Sequence, residues 1–136
     1  MNNIILHEFG KIKLDKNGQW FHNDQKFEHQ KMSEVFSKSI IKKNNTYFLK
    51  LDKYECPIEV EDCILWVIDF ELIDNSYIFK LSNNKEIILE RPVKIFIDEY
   101  EEIFFKLNDE KVKFTSKCIN FLINYIDENI SGFYLK

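Results

Sequence analysis

The chain has 136 residues, 45% of them hydrophobic and 15% aromatic, with a formal net charge of −4. That length suits one domain or two small intertwined halves. Arg91 is the only arginine and neither half holds clustered Lys and Arg, so no nucleic-acid footprint is expected. No run of 18 apolar residues occurs, so neither a transmembrane helix nor a membrane partner is expected.

Residues 1–10 read as a weak amphipathic lead-in. Met1-Asn-Asn-Ile-Ile-Leu-His-Glu8 has neither a basic start nor an adequate apolar stretch, so no signal peptide is expected. Lys11 to Asp15 alternates with Ile12 and Leu14 on one face, and Lys16-Asn17-Gly18 offers a hairpin turn. Gln19 to His22 returns as a strand, Asn23-Asp24-Gln25 turns again, and Lys26 to His29 reads as a third short strand. Met32, Val35, Phe36, Ser39 and Ile40 fall at helical spacing, which predicts a helix over Gln30 to Ile41 with Asn44 as its C-terminal cap. Thr46 to Asp52 is a β-rich strand.

The middle of the chain holds one of two prolines, two of three cysteines and one of two tryptophans within residues 55–70. Ile58, Val60 and Asp62 share one parity and Glu59 and Glu61 the other, which predicts a half-buried strand with an acidic outer face. From Cys63 to Ile68 the run is almost continuously apolar, as in a strand covered on both faces. The chain should bend at Val60-Glu61-Asp62, and Pro57 should mark a strand start or edge. Turns at Asp74-Asn75 and Asn83-Asn84 separate strands over Tyr77 to Leu81 and Lys85 to Glu90, and Val93 to Ile97 alternates again after Pro92.

A repeat then emerges. Trp20 to Phe27 resembles Phe104 to Val112; helical spacing follows in each case, over Gln30–Ile41 and Thr115–Asp127. Each helix leads to an aromatic strand, Tyr47-Phe-Leu-Lys50 or Phe133-Tyr-Leu-Lys136. This reads as a duplicated hairpin–helix–strand unit. Each copy is too small to bury its apolar face well alone, so the expected organisation is an N-terminal half, residues 1–72, and a C-terminal half, residues 73–136, packed as one unit.

Gly18-Gln-Trp-Phe21, Phe27-x-His29-x-x-Met32-x-x-Val35-Phe36-Ser37, Tyr47-Phe-Leu49, Glu55 and Ile58-x-Val60-Glu61-Asp62 resemble, in order and spacing, the bacterial domain-of-unknown-function family number twelve eighty-five. The resemblance is good over residues 10–70 and thin over 71–136. It departs where Cys63-Ile64-Leu65 replaces the family's usual Ala-Pro-Phe and where His29 replaces a frequent Arg. It implies a duplicated core, a C-terminal part resembling a pleckstrin-homology-like sheet and helix, a ligand site between the halves for a nucleotide-like molecule, and a role in signalling.

On a strand, the adjacent Glu61 and Asp62 point to opposite faces, so they cannot form a facing acid–base pair; fixing the bend is the simpler role. His22, His29, Cys56 and Cys63 match no metal-ligand spacing, and three glycines in all leave no phosphate cradle. No cofactor is implied. Three unevenly spaced cysteines suggest reduced thiols in a cytosol. Trp20 and Trp66 read first as core side chains, with ring stacking as the sharper role. Asp98 to Glu102 reads first as a solvated turn.

The expectation is therefore an α+β chain, a mostly antiparallel sheet with two helices. Its leading function is non-catalytic binding of a nucleotide-like small molecule, or signalling, through Trp20, His29, Lys31, Tyr54, Glu61 and Asp62. A protein-interaction module using a sheet edge or the 98–102 acidic patch is the alternative, and a small hydrolase or transferase a remote third.

Overall fold

The computed structural model describes residues 10–136, so the expected lead-in falls almost wholly outside the described residues. Two compact units divide the chain, Met1–Ile64 and Leu65–Lys136. The division precedes the strand that starts at Leu65 rather than following residue 72, because that strand takes both its neighbours from the C-terminal unit.

The first unit contains β1 (Ile12–Leu14), β2 (Trp20–His22), β3 (Gln25–Lys26), α1 (Gln30–Lys38), β4 (Ile40–Lys43), β5 (Thr46–Leu51), β6 (Tyr54–Pro57) and β7 (Glu59–Val60). One sheet runs β3-β2-β1-β7, with β7 parallel to β1 and the other pairs antiparallel; β4-β5-β6 is a separate antiparallel meander. Two-residue turns with both central φ angles positive join β2 to β3 (Asn23 50°, Asp24 68°) and β4 to β5 (Asn44 50°, Asn45 67°). That is the turn whose twist matches flanking strands, and Asn and Asp tolerate its left-handed positions.

Three expectations need correction here. The helix ends at Lys38, not Ile41: the Ser39 N–H donates to Phe36 O at 3.0 Å, and β-branched Ile40 and Ile41 pair with Leu49 and Phe48. Asn44 is a turn residue, not a helix cap. The strand expected over Ile58–Asp62 shrinks to Glu59–Val60 before the bend at Glu61-Asp62; Pro57 stands, as its missing N–H requires, on an edge strand, at the end of β6.

The second unit contains β8 (Leu65–Ile73), β9 (Ser76–Leu81), β10 (Glu86–Glu90), β11 (Val93–Ile97), β12 (Ile103–Leu107), β13 (Glu110–Phe114), α2 (Ser116–Leu122), β14 (Ile126–Asn129) and β15 (Gly132–Leu135). These strands make one sheet ordered β10-β9-β8-β13-β12-β11-β15-β14, antiparallel except for β13 against β8. Phe79 gathers Tyr77, Phe105 and Phe114 around it at ring separations of 5.4, 5.5 and 5.7 Å. The second helix also stops early, at Leu122. A single 3₁₀ turn over Ile123–Tyr125 hands the chain to β14, whose Ile126 pairs with Leu135.

The chain is thus α+β, dominated by antiparallel strands with two helices. The order hairpin, helix, hairpin occurs in both units, and Asn108 (50°) and Asp109 (69°) repeat the turn of Asn23 and Asp24. Sheet pairing differs between the copies, since β11 takes β15 as neighbour whereas β1 takes β7. No described helix is long and apolar enough to cross a membrane.

Candidate functional site

The N-terminal unit holds all six residues expected to bind ligand, and the structure gives them separate tasks. Trp20 is 2% exposed. Its indole N–H donates to Ser37 Oγ at 3.2 Å, and its ring meets Phe36 edge-on at 5.4 Å. Both faces of that arrangement belong to the core, so Trp20 anchors α1 on β2 and offers no open face for stacking.

His29 is the N-cap of α1. Its Nδ1 accepts the Met32 N–H at 3.2 Å, satisfying one of the amides that begin a helix. Its ring lies 6.5 Å from that of Phe27. Lys31 is exposed on the same first turn. Glu61 pairs with Lys13 at 3.8 Å, and its backbone N–H donates to Leu14 O at 2.9 Å, which ties the bend to β1. Asp62 is half-buried and makes polar contacts of its own. Tyr54 opens β6 in the other sheet, with Lys53 Nζ 5.8 Å from its ring centre. Glu55 beside it crosslinks that sheet through Lys43 at 2.6 Å and Lys50 at 3.7 Å; the Lys43 hydrogen bond holds its carboxyl below the usual range.

What the fold does assemble is a groove of about 440 Å³ between the β2–β3 hairpin and the start of α1. Gly18, Gln19 and Trp20 come from the first loop and strand. Lys26, Phe27 and Glu28 come from the end of β3, and Gln30 and Ser33 from the helix. Phe27 is half-buried and stacks on Phe36 at 5.4 Å and 10°. Two carboxamides, one hydroxyl, one ammonium and one carboxylate therefore surround an aromatic floor. Of the expected residues only Trp20 lines this groove; His29 and Lys31 flank Gln30 in sequence, and Tyr54, Glu61 and Asp62 lie outside the lining. A signal for the groove existed. Ser33 and Ser37 sit with Phe36 on the helix face turned to β2, and small hydroxyls on a packed helix face mark either a hydrogen-bond partner or an opening.

The three cysteines are free thiols in buried positions, and burial pushes the Cys56 thiol up. Among the described residues no His, Cys, Asp or Glu group is arranged to hold a metal ion.

Residues 7–63 match the model of the DUF1285 N-terminal domain, a domain of unknown function. No curated protein matches the chain. Two solved structures resemble it. One is a DUF1285 family protein from Silicibacter pomeroyi DSS-3, 13% identical, with a TM-score of 0.69 over 88% of this chain and 71% of that one. The other is a DUF1285 family protein from Shewanella baltica OS155, 17% identical, with a TM-score of 0.59 over 83% of this chain and 90% of that one. At those identities the likeness speaks for the fold, while the match to the DUF1285 N-terminal domain covers the first unit almost entirely, residues 7–63 of Met1–Ile64.

Proposed function

We propose that the chain is a non-catalytic binding module whose groove beside α1 receives a small nucleotide-like molecule, and that occupancy of this groove is its signal. One observation carries the reading: a polar rim of Gln19, Lys26, Glu28, Gln30 and Ser33 surrounds the aromatic floor of Phe27, beneath which Trp20 is buried. Ligand sites combine an apolar surface with a few placed polar groups, within about 300–1,000 Å³. The carboxamides of Gln19 and Gln30 and the carboxylate of Glu28 offer donors and acceptors to the edge of a planar ring. Lys26, with Lys31 on the first turn of α1, supplies positive charge for a phosphate. Reactive thiols sit in exposed, electropositive surroundings, so the buried cysteines favour binding over nucleophilic chemistry.

Thermal unfolding of the whole chain against mononucleotides and cyclic nucleotides tests this. A ligand at 100 times its dissociation constant should add about 2.7 kcal/mol. Lys26→Ala and Gln30→Ala should lose the shift and Asp62→Ala should keep it. No shift with any of these nucleotides would turn the reading to a protein-interaction module. The feature favouring that second reading is β10, a terminal strand of its sheet with Ile88 69% exposed.

A further inference from the structure

The eight-stranded sheet of the second unit has two ends, β10 and β14, and the structure brings these ends near one another without pairing them. Tyr77 on β9 donates its hydroxyl proton to Lys136 O at 2.7 Å, just past β15. Beside this bond an open seam of about 710 Å³ runs between the two ends. Asn75 and Arg91 come from the β9–β10 side; Asp127, Asn129 and Tyr134 come from β14 and β15. Asp127 lies opposite Tyr134 in the strand register, so the acid and the phenol are neighbours across β14 and β15.

Arg91 is the sole arginine of the chain. Its backbone N–H donates to Asn75 O at 2.9 Å, which fixes where the side chain begins. The guanidinium lies 5.8 Å from the Tyr77 ring centre and reaches Asp74 O with one N–H at 3.4 Å. No carboxylate among the described residues lies within ion-pair distance of it. A guanidinium has five N–H donors in a planar fork matched to an oxyanion, and this one is held over an aromatic ring with most of the fork unused.

We propose that this seam binds a small carboxylate that also carries a hydrogen-bond-donating ammonium, that is, an amino-acid-like ligand. The carboxylate takes the fork of Arg91, and the ammonium lies toward Asp127. The charge balance decides between oxyanions. Asp127 places a carboxylate in the same seam as the Arg91 guanidinium, and that pairing repels a phosphate dianion while giving an attached ammonium a partner. The amides of Asn75 and Asn129 and the Tyr134 hydroxyl supply neutral donors and acceptors around it. This site is independent of the groove beside α1 and stands or falls alone.

A single arginine yields a single side-chain Nε–Hε resonance, so its NMR signal reports the site without assignment of the whole chain. The full chain is titrated with glycine, L-alanine, L-glutamate, succinate and inorganic phosphate, each at matched ionic strength against sodium chloride. A saturable shift of that resonance with the amino acids, weakened at least about tenfold by Asp127→Asn, is expected. In Arg91→Gln, where the reporter is gone, backbone amide shifts around Asn129 and Tyr134 should be lost at the same concentrations. Succinate should bind more weakly than L-glutamate because it lacks the ammonium. Phosphate binding more tightly than every amino acid, a shift reproduced by chloride, or amino-acid binding indifferent to Asp127→Asn would each overturn the proposal.

Discussion

The turn that joins β11 to β12 hangs on one carboxylate, and removing it should damage the second unit in a graded, pH-dependent way. Asp98 Oδ1 accepts the N–H groups of Tyr100 and Glu102, both at 2.9 Å, and Oδ2 accepts Lys111 Nζ at 2.7 Å. The side chain is only 7% exposed. Asp98→Ala removes all three contacts. Hydrogen bonds to a charged group contribute about 1.5–3 kcal/mol each, and the two turn amides can regain water, so a net loss of about 2–4 kcal/mol is expected. Asp98→Asn keeps an oxygen for the two amides and loses the charge that faces Lys111, so about 1–2 kcal/mol is expected.

Acid should erase that difference. Burial pushes the Asp98 carboxyl up, but the Lys111 hydrogen bond and the Glu102 and Tyr100 amides outweigh it and hold the group below its ordinary range. A folded value below the unfolded one, about 3.9, means the native state favours the ionised form. Its contribution is complete above the unfolded value and disappears as pH falls through the folded one. Urea melts followed by far-ultraviolet circular dichroism at pH 7, 5 and 3 should show the gap between wild type and Asp98→Asn closing only below about pH 4. Equal losses for the Ala and Asn variants at pH 7, or a gap unchanged at pH 3, would refute the assignment of Asp98 as the turn's ionised anchor.

Trp66→Ala should cost about 3–5 kcal/mol because the side chain is buried, whereas Glu59→Ala should stay within about 0.5 kcal/mol, since its ion pair with Lys11 is solvated on both sides; urea melts of the two variants check the contrast. His29→Ala should cost about 1 kcal/mol through loss of the α1 cap, and His29→Asp should restore it, both read from thermal melts. Gly18 (φ 80°) and Glu101 (φ 62°) both occupy left-handed positions, so Gly18→Ala should lose about 1 kcal/mol and Glu101→Gly should gain about 0.5–1 kcal/mol. A destabilised Glu101→Gly variant in the same melts would show that its backbone is held by something other than tolerance of strain.

Much of the fold was legible because its turns are chemical statements. Asn23-Asp24 and Asn108-Asp109 stand where only residues at ease with positive φ fit, and the strands on either side follow from them. The helix ends were not legible, because Ile40 satisfies a helical stripe and a strand alternation equally well. The choice was made by pairing with Leu49, a contact no window of sequence contains. Tyr54-Glu-Cys-Pro57 was invisible as a strand because its proline argues against one, and the edge position of β6 removes the objection. At the candidate site the first reading of Trp20 as a core side chain agrees with its packing, whereas the residues that line the groove were not singled out by the sequence. Trp20 and His29 stand at the right end of α1, yet one is spent on packing and the other on capping, while the groove is lined by Gln19, Lys26 and Glu28, ordinary surface types until the hairpin and helix meet.

The repeat reaches further upstream than the sequence suggested, and the reason is geometric. In the β1–β2 loop Asp15 N–H donates to Gln19 O, Gly18 N–H donates to Asp15 O, and Asp15 Oδ1 accepts the N–H groups of Asn17 and Gln19. In the β11–β12 loop Asp98, Glu101, Tyr100 and Glu102 make the same four bonds in the same positions. The two loops share only the aspartate and the left-handed fourth residue, a glycine in one and a glutamate in the other, which is why they do not align by eye. Strand, aspartate turn, strand, left-handed two-residue turn, strand, helix and hairpin thus recur in order. What differs is the pairing that each copy's first strand finds. β1 accepts β7 in parallel, which leaves β4-β5-β6 as its own sheet, whereas β11 accepts β15 and draws the closing hairpin into the eight-stranded sheet. Devices that act within one hairpin persist in both units, while the long-range pairings diverge. The first unit carries an aromatic-floored groove at its helix start and the second an arginine-lined seam beside its closing hairpin, so the repeated plan presents different surfaces in its two copies.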